Sequence, residues 1–190
     1  MTNSTTIIGY TAIAAILISL FFIGTEITGY ATSNATVNVT ISQSASINFT
    51  TAILDFGAGA VNTGQPGATI NSIGNTGEGT WAQQDGELVL VNIGNVDVTT
   101  LTIATNKSAD DFIGGDTPTF KAKVTNSSGH TTSCVGADFE DWNDITMTPQ
   151  DACDTFTYSG NNSIDINFQL YIPNDAVGAR TVGILAVGTA

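Results

Sequence analysis

The stretch from Cys134 to Asp154, "CVGADFEDWNDITMTPQDACD", gathers the side chains best suited to chemistry: Asp138, Glu140, Asp141, Asp144, Asp151 and Asp154. No Lys or Arg occurs from residue 124 to residue 179 to neutralise them. Carboxylate oxygens, with the amide of Asn143 among them, are the hard ligands that Ca2+ takes about 6–8 at a time. The six acids are therefore candidate Ca2+ ligands. Their spacing is not that of an EF-hand loop, and an acidic, solvated loop holding no ion is the competing reading. Phe139 and Trp142 are expected to anchor this loop on the body of the protein. As stacking platforms they would instead serve a sugar ligand.

Cys134 and Cys153 bracket the same loop and enclose 18 residues. In an exported chain such a pair is by default a disulfide, worth about 3 kcal/mol through loop closure. A metal site is the weaker reading, because there is no CxxC and the lone His130 lies in a Ser/Gly/Thr loop. Other reactive groups are scarce: one His, no GxSxG and no HExxH. Two carboxylates suffice for a glycosidase, but nothing singles out a pair. The Gly-rich "GAGAVNTG" and "GNTGEG" lack the Walker lysine and do not join a strand to a helix, so they read as turns. The chain is read as no enzyme, with no catalytic residues and no cofactor beyond a candidate Ca2+.

Residues 7–24, "IIGYTAIAAILISLFFIG", carry no charge and approach the roughly 20 residues that cross a bilayer. Small residues follow in "TEITGYATSN", with cleavage expected after Ala31 or after Ser33. Residues 1–33 thus read as a signal peptide, with a retained hydrophobic anchor or filament-core helix as the alternative. The leading "MTNSTT" lacks the usual basic residues. The whole chain has a formal net charge of −13; without Glu26 it keeps 16 acids against 4 bases and carries −12. So acidic a protein repels nucleic acid and anionic membrane surfaces. No nucleic-acid partner is expected, and membrane contact only through residues 7–24 if they are uncleaved.

The elements that must position the acidic loop are strands. "LVLVNIGNVDVTTLTIAT" (88–105) reads as a strand pair broken at Gly94–Asn95, with its apolar phase shifting at Leu101 as at a bulge. "PTFKAKVT" (118–125) and "TVGILAVGTA" (181–190) read as strands, as do "ATINSI" (68–73) and the start of "ILDFGAGAVNTG" (53–64). "SIDINFQLYI" (163–172) alternates cleanly, with Ile164, Ile166, Phe168, Leu170 and Ile172 on one face. Ser108 is a candidate N-cap for one helical turn in "KSADDFIGGDT". About nine short strands without a βαβ rhythm predict an all-β fold, a two-sheet β-sandwich of jelly-roll or Greek-key type over residues 51–190.

Residues 34–50 form a segment of their own. In "ATVNVTISQSASINFT" (35–50) the odd positions Ala35, Val37, Val39, Ile41, Ala45, Ile47 and Phe49 are apolar, and every even position is Thr, Asn or Ser. At about 3.3 Å per residue such a strand would span about 50 Å, more than a small domain can cover. The expectation is that residues 34–42 leave their own domain and add as a donor strand to a neighbouring copy. The alternative is a break near Gln43–Ser44 that makes two strands of one domain. Asn-x-Ser/Thr acceptors for N-glycosylation occur at Asn3, Asn34, Asn38, Asn48, Asn106, Asn126 and Asn161. Asn34, Asn38 and Asn48 share the polar face of this opening stretch.

With its strand–Asn-x-Gly-Asn–strand pattern in "LVLVNIGNVDVTTLTI", its leader, "INFTTAILDFGAGAV" and its apolar last strand, the chain resembles archaeal surface proteins related to the TasA/camelysin filament subunits and archaeal bundling pili. The resemblance implies a secreted jelly roll that polymerises head to tail through its N-terminal strand, with no catalytic residues. The cysteine loop and the leader depart from that pattern. The function expected is a structural subunit of an extracellular, cell-surface filament, its partner another copy of itself. Two alternatives stand beside it. One is a membrane-anchored envelope or S-layer-like module, or a pilin-like subunit keeping its helix. The other is a Ca2+-dependent adhesive module that binds glycans through residues 138–154.

Overall fold

A computed structural model describes residues 39–74, 76–82, 86–136 and 139–190. Residues 7–24, Asn3, Asn34, Ala35, Val37, Asn38 and Asp138 lie outside the described residues. The chain divides between Ile41 and Ser42 into two units, and the folded elements below all belong to the second.

The fold is all-β. Twelve strands are described: β1 (Ile47–Thr51), β2 (Gly67–Asn71), β3 (Thr76–Gly77), β4 (Leu88–Asn92), β5 (Thr100–Thr105), β6 (Thr119–Asn126), β7 (Cys134–Val135), β8 (Asn143–Asp144), β9 (Gln150–Cys153), β10 (Thr155–Phe156), β11 (Ser163–Pro173) and β12 (Ile184–Thr189). One helical turn, α1 (Ala109–Phe112), separates β5 from β6; the Ser108 hydroxyl caps it by accepting from the Asp111 amide.

β11 is the spine, as its uninterrupted alternation requires. One of its edges carries β6 antiparallel from Ile164 to Tyr171. The other carries β4 along Ser163–Ile166 and then β2 along Gln169–Pro173. β1 ends this sheet beside β4, β3 pairs with β2, and β8 pairs with β6. A second sheet runs β12-β5-β9 and a third is the ribbon β10-β7. The β5–β9 ladder shifts register between Leu101 and Thr102, where the apolar phase of the sequence changes.

All three sheets feed one apolar core. Ile164, Ile166, Phe168 and Leu170 of β11 meet Phe120, Ala122 and Val124 of β6, Leu101 and Ile103 of β5, and Ala152, Cys153 and Phe156. Phe120 stands between Phe112 and Phe168, with ring centroids 5.0 and 5.4 Å away. Cys134 and Cys153 form a disulfide with Cα atoms 5.4 Å apart, tying β7 to β9. Phe139 is wholly buried in the core and anchors the acidic loop, while Trp142 is half-buried.

Two segments differ from the strands expected of them. Residues 52–60 form no strand; Leu54 and Phe56 pack on the core, but the backbone beside them has no ladder partner and touches a neighbour only where Val61 bridges Gly79. In the opening stretch, pairing begins at Ile47, and residues 39–46 belong to no strand. The cause lies in the 93–95 turn. Asn95 Nδ2 donates to Ser42 O and its Oδ1 accepts from Ser44 N, at 2.9 and 2.7 Å. Ile93, Gly94 and Asn95 amides donate to Ser46 O and Ser44 O. The turn thus clamps residues 42–46 in place of a neighbouring strand.

Candidate functional site

Among the described strands of five or more residues, two pair along one side only. β1 pairs only with β4, and β12 only with β5. They come close at one end, where a Cβ on Gly188 would lie 3.6 Å from Ile47 Cγ2. Beyond that point the segments flanking them, 52–65 and 176–184, form the two walls of a groove of about 1140 Å³. Its floor is apolar: Ile70, Leu88, Phe112, Phe120, Phe168 and Leu170. All six side chains belong to the buried central core, so the groove lies directly over the core.

Trp81 stands in the groove wall on the polar loop that follows β3. Gly59 and Gly79 make its slot: a Cβ at Gly59 would collide with the indole, and one at Gly79 would lie 2.7 Å from it. Asn62 N to Glu78 O and Thr80 N to Ala60 O, both 2.9 Å, hold the two glycine segments together. The walls carry little charge. Asp55 and Arg180 line them, and Arg180 donates to the Val177 and Asp111 carbonyls at 3.4 and 3.5 Å. Exposed apolar side chains edge the walls, with Ile53 84% and Val177 74% exposed. Leu185 and Val187 on the open strand β12 are exposed too. Such a surface suits an uncharged, extended, alternately apolar segment, whose backbone can pair with an open edge while its apolar side chains enter the groove.

The chain carries a segment of that description. Val39 and Ile41, the apolar residues of 34–42 that are described, are 77% and 81% exposed.

The six acids are placed differently. Glu140, Asp141, Asp144, Asp151 and Asp154 are all exposed. Asp144 pairs with Lys121 at 3.8 Å, and Asp154 lies against Gly136, whose φ of 67° leaves the space a side chain would fill. Among the described residues no three His, Cys, Asp or Glu side chains are grouped to hold a metal ion. A second, polar hollow of about 600 Å³ beside Phe139 is lined by Asn143, Asp144 and Asp151.

The described glycosylation acceptors also separate. Asn48 is exposed on β1. Asn126 donates to Thr131 O and accepts from Cys134 N, at 3.2 and 3.0 Å. Asn161 accepts from Thr131 N at 3.2 Å and donates to Thr132 Oγ1 at 3.1 Å. Asn106 accepts from Gly183 N at 2.7 Å.

Sequence reasoning did not find the groove, because its walls come from segments more than a hundred residues apart. It also did not find the clamp. The signal for that was the Asn-x-Gly-Asn pattern, whose Gly94 admits the Ser44 carbonyl where a Cβ would collide. No family model, curated protein or solved structure matches the chain.

Proposed function

We propose that the protein is the structural subunit of a cell-surface filament, a β-sandwich of jelly-roll type built on its two larger sheets, that polymerises head to tail. Residues 34–42 of one copy enter the groove between segments 52–65 and 176–184 of the next. The observation that carries this reading is the open, mainly apolar groove in a chain whose own alternating segment leaves Val39 and Ile41 exposed. Three supports converge. The 93–95 turn fixes residues 42–46, which gives the donor segment a defined anchor. Val37, Val39 and Ile41 each gain about 1.5–3 kcal/mol on full burial. The donated backbone satisfies edge groups that would otherwise invite unspecific pairing. Because the donor and acceptor surfaces differ, the contact does not close on itself and propagates as a fibre.

The test is negative-stain electron microscopy of the full chain with and without the paired substitutions Val39→Asp and Ile41→Asp. Both side chains are exposed, so the variant should fold with an unchanged melting temperature. Filaments from the parent and dispersed particles from the variant are the expected outcome. Filaments of equal length from both would remove strand donation as the means of assembly.

A further inference from the structure

The acceptor sites of the second unit are not equivalent, and their inequality selects one of them. Asn48 sits on the outer face of β1, opposite Val91 of β4, between Ile47 and Phe49, which pack against the core. Its carboxamide is exposed and makes no hydrogen bond among the described residues. Thr50, the hydroxyl residue of its acceptor triplet, is exposed beside it and donates weakly to Val89 O at 3.4 Å. The amides of Asn126 and Asn161, by contrast, grip the loop 127–133 from two sides and hold Cys134 at the disulfide. Asn106 is exposed and, among the described residues, engages only its Oδ1, which accepts from Gly183 N, but Ser108, the hydroxyl residue of its triplet, is taken up in capping α1.

We propose that Asn48 carries an N-linked oligosaccharide and that Asn106, Asn126 and Asn161 remain bare. This rests on the reading of the protein as exported. The donor is a polyprenyl-phosphate-linked oligosaccharide. The Asn48 amide nitrogen displaces the phosphate at sugar C1. A C1–N bond forms, the C1–O bond to phosphate breaks, and the amide loses one proton. On β1 the sugar stands on the side away from the groove. It leaves the groove open and shields the β1 edge from stray strand pairing.

Glycopeptide mapping and intact mass of the full chain, made in a secretory host that glycosylates Asn-x-Ser/Thr, decide the matter. The exported chain should carry an oligosaccharide at Asn48 and none at Asn106, Asn126 or Asn161. Thr50→Ala should lose the Asn48 glycan and Thr50→Ser should keep it, both with unchanged melting temperature. An exported chain bare at Asn48, or glycosylated at Asn126 or Asn161 instead, overturns the assignment alone. A chain retained inside the cell with Asn48 bare overturns the surface reading and the assignment with it.

Discussion

Asn92 shows how one side chain can serve two neighbourhoods. It ends β4 with its side chain turned inward and is 1% exposed. Its Nδ2 donates to Val96 O and to Phe156 O, both at 3.1 Å, and its Oδ1 accepts from Gly94 N at 3.0 Å. The same amide therefore shapes the turn and joins β4 to β10. A buried carbonyl stripped of its partner costs about 1–3 kcal/mol. Asn92→Ala should lower unfolding free energy by about 2–4 kcal/mol, read as a shift of the urea midpoint at constant slope. Asn95 makes exposed bonds, so Asn95→Ala should cost less than about 1 kcal/mol while amide exchange quickens at Ser44. An equal loss from both variants would show that the turn acts only as a unit. In sequence the two asparagines look alike, since the pattern Asn-x-Gly-Asn marks a turn but not which amide faces the core.

At the scale of elements, legibility followed length and alternation. β11 and β6 were readable because a strict period of two over eight or more residues leaves one register that buries every apolar side chain. β3, β7, β8 and β10 are two residues each, too short for any period; β3 and β8 take the edges of the longer β2 and β6, while β7 and β10 pair with each other beside the disulfide. Residues 52–60 misled because Leu54 and Phe56 carry a strand's pattern while lacking a strand's partner. The disulfide was legible from its two cysteines alone, but not what it holds, which is the β7–β10 ribbon against β9. Replacing both cysteines, Cys134→Ala with Cys153→Ala, should lower stability by about 3 kcal/mol if loop closure is the chief term. Equilibrium urea unfolding of the variant beside the oxidised parent measures this. A loss below about 1 kcal/mol would mean that the core contacts of Phe139 and Phe156 hold the ribbon unaided.

For the whole molecule, charge opposes the proposed assembly. Each copy carries a net −13, or −12 without Glu26, so two copies repel as they approach. Residues 34–42, "NATVNVTIS", contain no charge at all, and the groove they are proposed to enter is lined mainly by apolar and uncharged polar groups. Repulsion therefore belongs to the encounter and not to the docked state. The Debye length falls from about 30 Å at 0.01 M salt to about 8 Å at 0.15 M, so charge repulsion between approaching copies weakens steeply over that range. Raising salt across that range should speed elongation several-fold while leaving the release of subunits from filament ends nearly unchanged. Light scattering during growth, followed by dilution, measures the two rates separately, and Trp81 emission, read in a Trp142→Phe background, should report groove occupancy because the indole stands in the wall. Growth that slows with salt would instead mean that ion pairs hold the subunits together, with Lys121 or Lys123 the cations to replace first. That outcome would place the contact on a charged face of the molecule and away from the groove.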